Sequence, residues 1–183
     1  TGSAYLIETE HSTVLLECGL YQGSREEERL NKKPFPFDIH KIDAVVLSHA
    51  HLDHAGRVPK LVADGYDGSI FMTYPTSELL EILHKDAASL QERDTEWENK
   101  RRRRAGKKEI EPIYTMEDVE EALTHFVGVP YNQRIEIVRG VEVCFRDAGH
   151  ILGSSIVEIF INEKGKEKKL VFSGDLGNSD AAL

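Results

Sequence analysis

Cysteine is scarce: Cys18 and Cys144 are the only thiols among 183 residues, and they form neither a CxxC pair nor the dense framework of a small secreted domain. Both read as reduced thiols in the core. No stretch approaches the roughly 18 consecutive apolar residues that a membrane span requires. Residues 1–10 lack the basic, apolar and small-residue zones of a signal peptide. A cytoplasmic protein with no membrane partner is the expectation. With 6 prolines and 14 glycines, the chain is neither collagen-like nor of low complexity, and 40% hydrophobic residues argue against disorder. Positive charge is in deficit, 23 Lys and Arg against 32 Asp and Glu for a net charge of −9. Polyanion binding through overall charge is thereby excluded, but a local basic stretch keeps its own field.

What remains is an alternation of strands and helices with the length of about one domain. Apolar or β-branched runs at Ala4 to Thr9, Thr13 to Glu17, Asp43 to Leu47 and Ser69 to Thr73 read as strands. The stretch 23–37, with its charges and Pro34-Phe35-Pro36-Phe37, reads as a surface loop with a short helix. Val58, Leu61 and Val62 recur at helical spacing before the stop at Gly65. Pro75-Thr76-Ser77 opens a long helix whose predicted apolar face is Leu79, Leu80, Leu83, Ala87, Leu90 and Trp97. Thr115-Met116-Glu117-Asp118 fits a capping box and starts a further helix to about His125. Strands resume at Arg134 to Val138, Glu142 to Arg146, Ser155 to Ile161 and Lys169 to Ser173, with a hairpin turn at Asn162 to Gly165.

The chemistry concentrates in His49-Ala50-His51-Leu52-Asp53-His54, where three imidazoles and a carboxylate crowd six positions. At this chain's own composition the pattern arises by accident in roughly one such sequence in a thousand, so metal binding is the stronger reading. His49 and His51 follow a buried strand, so alternation sends both to one side. Asp53 and His54 fall on a first helical turn facing a second position. One short segment can therefore serve two neighbouring metal ions.

SHAHLDHAG after an apolar strand resembles the signature of the metallo-β-lactamase superfamily of hydrolases, and the rest of the chain can be read against that resemblance. AGHILGS supplies the downstream His150 and FSGDLG the later Asp175, both in the family's order. The resemblance implies an α/β fold of the αββα sandwich type. It implies two divalent ions, zinc first and manganese as the alternative, with His49, His51 and His150 at one ion, Asp53 and His54 at the other and Asp175 bridging. Asp53, His54 and Asp175 would also take part in catalysis. Where the family usually has Asp at the end of an early strand, this chain has Glu17 in LLECGLYQG, a longer carboxylate that would support a ligand histidine or simply face solvent. No histidine follows Asp175 to complete the second ion.

GLYQG, AGHILGSS and the long charged helix make the chain look like the β-CASP branch, whose members are RNA and DNA nucleases. In that branch a further domain is inserted after the strand bearing the equivalent of Asp175. Residues 1–183 are therefore expected to be the N-terminal portion of a catalytic domain, without the insertion and the C-terminal completion, and prone to associate into a homo-oligomer through uncovered apolar faces. The function so implied is a phosphodiesterase that cleaves single-stranded RNA by attack of a metal-bound hydroxide on phosphorus. The competing readings are a same-fold hydrolase of a carbonyl substrate, of thioesterase or lactamase type, and a non-catalytic RNA-binding subunit. Lys100, Arg101, Arg102, Arg103, Arg104, Lys107 and Lys108 form a candidate RNA-phosphate patch, against which stands the plainer reading of a solvated helix end. Trp97, just before them, reads as core packing because its spacing continues the predicted apolar face.

Overall fold

Nine strands, β1 (Tyr5–Glu8), β2 (Thr13–Leu16), β3 (Ala44–Val46), β4 (Ser69–Thr73), β5 (Phe126–Val129), β6 (Arg134–Val138), β7 (Val141–Asp147), β8 (Ser155–Glu163) and β9 (Lys166–Phe172), form two sheets among the described residues. A computed structural model of the chain describes residues 2–177. The first sheet has the order β1-β2-β3-β4-β5, with β1 antiparallel to β2 and the remaining pairs parallel. The second sheet is the antiparallel meander β6-β7-β8-β9. Its last hairpin turns at Lys164 and Gly165, both at positive φ (51° and 74°), the conformation that matches the twist of a two-residue turn.

The helices are α1 (Arg25–Glu28), α2 (Leu52–Ala55), α3 (Val58–Ala63), α4 (Tyr74–Arg104) and α5 (Met116–Leu123). The expected capping box is present at α5: Thr115 accepts from the Asp118 amide while Asp118 accepts from the Thr115 amide. β5 lies outside the strands expected from sequence. Its four residues, FVGV, are short and contain a glycine, and they follow α5 after only two residues, so no periodicity announces them. Pairing along β4 makes β5 a strand.

Period-two alternation sorts the first sheet's side chains into two cores. Val14, Leu16 and Val46 face the second sheet and meet Val143, Phe145, Val157 and Ile159. Leu15, Val45, Leu47, Ile70 and Met72 face the opposite way, onto Val58, Leu61, Leu80 and Ala122 of the helices. Among the described residues no helix covers the outer face of the second sheet. There Arg134 pairs with Glu142 and Glu167 while lying over Phe160, and Arg146 and Lys169 both hold Glu158. The described layers are thus helix, sheet and sheet of the αββα sandwich. No helix among the described residues is long and apolar enough to cross a membrane.

The predicted apolar face of α4 holds only in its first half. Leu80 and Ala87 are buried with His84 and Ala88, and Leu79 and Leu83 pack partly against the core. Leu90 and Trp97 instead lie outside, Trp97 at 62% exposure. At about 100° per residue, Trp97 comes round about 260° from Leu80, so the stripe read from spacing drifts off the core.

Candidate metal centre

The C-terminal ends of β2, β3, β7 and β9 open onto one edge of the sandwich, and the chemistry-bearing loops gather there. The segment after β3 is clasped by the segment after β2: Cys18 N donates to His54 O (2.7 Å), Leu20 N to Leu52 O (2.7 Å) and Arg57 N to Cys18 O (2.8 Å). Arg57, buried against the rings of Tyr21 and Phe35, donates through Nε to Gly19 O at 2.7 Å. The other two loops are tied in as well. Ser155 N and Oγ both donate to Ser48 O, and Gly177 N donates to Ala148 O at 3.0 Å, joining the loop of Asp175 to that of His150.

His49 Nε2 lies 3.1 Å from His51 Nδ1, and His150 Nε2 lies 3.2 Å from the same atom. Asp175 Oδ2 is 3.5 Å from His150 Nε2 and 3.9 Å from His49 Nε2. A tetrahedral ion with bonds of about 2.0–2.1 Å holds its ligand atoms about 3.3–3.4 Å apart, so these four side chains fit around one divalent ion. A second group adjoins it. His54 Nε2 is 3.4 Å from the other Asp175 oxygen and 3.9 Å from Asp53 Oδ2, which leaves Asp175 facing both groups. Every residue expected in the centre is therefore brought to this edge. The basic run is not: it ends α4, a helix of about 46 Å whose N-terminal Thr73 and Thr76 hydroxyls donate to Gly153 O beside the His150 loop.

Glu17 is fully buried, which removes the solvent-facing reading. Its carboxylate accepts from Ser48 N (2.6 Å), from Ser48 Oγ (2.9 Å) and from His54 Nδ1. Since the Ser48 hydroxyl has one proton and gives it to Glu17, its oxygen accepts from His49 Nδ1, 2.9 Å away. One carboxylate thus sets both imidazoles with Nδ1 protonated and the Nε2 lone pair toward the cluster. The sequence signal for Ser48 was only its place directly before His49, too common a residue to single out.

Burial, reinforced by the neighbouring His54 and His51, pushes His49 down to about 3, so it stays neutral, the form that ligates. His54 is also disfavoured as a cation by burial, but the hydrogen bond and charge of Glu17 outweigh that and raise it. Burial raises Glu17 against the opposing pull of His54 and Ser48. Cys18, buried and pushed up to about 12, and Cys144, also buried, are free thiols, and neither belongs to a group of possible metal ligands among the described residues.

Residues 6–178 match the model of the metallo-beta-lactamase superfamily domain. The chain belongs to this superfamily. A Thermus thermophilus protein named Ribonuclease TTHA0252 is 39% identical over 180 residues, covering 98% of this chain and 36% of that protein. A Methanocaldococcus jannaschii protein named Transcription termination factor FttA is 30% identical over 174 residues, covering 95% of this chain and 25% of its own length. The chain thus spans about a third or less of these curated relatives. Among solved structures, an S60 mutant of a Cronobacter sakazakii metallo-β-lactamase with a HARLDQ motif superposes with a TM-score of 0.58 at 19% identity, covering 98% of this chain and 58% of that one. That likeness is one of fold.

Proposed function

We propose that this chain carries the metal centre of a metal-dependent hydrolase that cleaves phosphodiester bonds in single-stranded RNA. The observation that carries the reading is the convergence of His49, His51, His150 and Asp175 around one ion-sized space, with Asp53 and His54 across Asp175. His49, His51 and His150 would hold one ion, Asp53 and His54 a second, and Asp175 both. Imidazole-rich ligation favours zinc, and the carboxylates admit manganese. When bound, such ions acidify a water toward a pKa of about 7 and offset charge on a phosphate oxygen.

The protein's own groups supply the rest. Glu17 and Ser48 keep the His49 and His54 lone pairs aimed at the centre, so no reorientation is needed when substrate arrives. Asp175 and Asp53 remain partly open to solvent, and Asp53 would orient the attacking water. The choice of RNA rests on the names of the relatives, a ribonuclease and a transcription termination factor. A full-length version loaded with zinc or manganese is expected to cleave single-stranded RNA in a chelator-sensitive way that D175A abolishes. Intact RNA together with hydrolysis of a carboxylic ester would reassign the centre to carbonyl chemistry.

A further inference from the structure

α4 exposes on its outer side a tryptophan that no other described residue buries. Trp97 is 62% exposed, and the Arg101 guanidinium lies 4.9 Å from its ring centroid. Helical spacing places Arg93 one turn before Trp97, Lys100 and Arg101 one turn after, and Arg104 two turns after. Arg101, Arg102, Arg104 and Lys107, with Glu98, line a cleft of about 330 Å³ at the end of the helix. Glu96 and Glu98 pair with Lys100 and Arg101, and Glu109 with Arg103. Arg93, Arg104, Lys107 and Lys108 make no ion pair among the described residues. The helix dipole accounts for cations in a last turn, but not for an indole turned to water among them. In a chain of net charge −9, these cations without an ion pair sit on and just after the helix that carries its one tryptophan.

We propose that Trp97 and the basic end of α4 form a docking site for single-stranded RNA, remote from the metal centre, in which a base stacks on the free face of the indole and the phosphates lie along Arg101, Arg104 and Lys107. An aromatic face beside arginines is the chemistry that recognises an unpaired base with its backbone, whereas a duplex offers phosphates but no open base face. The choice of RNA rests on the function proposed above; the site itself rests on the exposed indole and the cations. Lying about one α4 length from the cluster, it would retain a long strand while another part of it reaches the metal edge.

The test is binding in chelator, so that hydrolysis does not enter and failure of the metal reading stays separate. An end-labelled oligouridylate of about 15 nucleotides is titrated against the protein, with anisotropy and Trp97 emission read together. Saturable binding with quenched emission is expected. W97A should weaken it about tenfold, the equivalent of one lost stack, while W97F keeps most of the affinity. R104A with K107A should reduce the slope of log affinity against log salt by about 0.7 for each phosphate left unneutralised. The proposal is overturned if RNA leaves the emission unchanged or W97A binds as well as the parent. It is equally overturned if polyglutamate quenches Trp97 as strongly as RNA, which would make the patch a dock for an acidic protein. Shielding of Trp97 from acrylamide before RNA is added would show that another part of the protein occupies the face, and would also overturn it.

Discussion

Glu17 holds its backbone at φ +65°, a left-handed conformation unusual for a side chain of its kind, while completely buried. Such strain persists where the surroundings enforce it, and here the enforcement is the set of donors, Ser48 N, Ser48 Oγ and His54 Nδ1, that converge on the carboxylate. E17Q offers one acceptor oxygen where two are used and turns amide protons toward donors. It is expected to leave a folded protein by circular dichroism but to weaken zinc binding about 10–100-fold in chelator competition. Unchanged affinity would remove Glu17 from the support of the centre. Gly19 is constrained differently: a Cβ there would sit 1.7 Å from Asp53 O. G19A should cost about 3 kcal/mol or more in denaturant unfolding, since the clash is with backbone and not with a side chain that can swing away. At this scale His49, His51, Asp53 and His54 were legible because their spacing is local, and His150 and Asp175 only through the family resemblance that the local motif brought in. The relay through Ser48 was not, because it depends on which hydroxyl meets which carboxylate after folding.

At the scale of elements, α4 joins the two ends of the molecule's chemistry. Its N-terminus is pinned to the His150 loop, its middle to α2 and its C-terminus to solvent. The middle contact is His84, fully buried, with Nε2 donating to Ala55 O at 3.1 Å and Nδ1 without a partner among the described residues. Burial drives it down to about 4. A base whose folded pKa lies below its unfolded value near 6.5 costs no stability above that value, and protonation favours the unfolded chain as pH falls from 6.5 toward 4. The expected loss is up to about 3 kcal/mol over that interval. H84Q keeps a donor for Ala55 O without titrating, so its stability measured by urea unfolding should fall less steeply with acid than the parent's. Equal slopes would place the buried charge elsewhere. Whereas the long helix expected to open at Pro75-Thr76-Ser77 is capped by Thr73, the last residue of the preceding strand, the start signal at Thr115 was readable as chemistry, since hydroxyl and carboxylate caps act within three residues. The drift of Leu90 and Trp97 off the core was not, because a spacing of seven or eight residues does not return to the same face over 31 residues of helix.

The whole molecule is a sandwich whose two sheets share one apolar seam, and the metal edge lies where that seam meets loops from both sheets. The alternation of strands and helices was legible because buried strands announce themselves as β-branched runs and helices carry their own punctuation, while the αββα arrangement was legible only through the family resemblance. The sheet order was not, since β5 has no periodic signal and pairs with β4 only after the long excursion through α4 and α5. Assembly of the centre is a global property: His49, His51 and His54 come from one sheet's connections, His150 and Asp175 from the other's. Metal binding should therefore stabilise the docking of the sheets as well as fill a site, by about 2.7 kcal/mol at a hundredfold excess over the dissociation constant. The most direct test is metal content by mass spectrometry, measured beside thermal unfolding on the protein and on an H49A/H51A double variant. The account predicts about one to two equivalents of zinc or manganese per chain, a raised midpoint on metal addition, and loss of both in the variant. A protein that takes up neither ion on supplementation, or a variant that retains its metal and its shift, would contradict it.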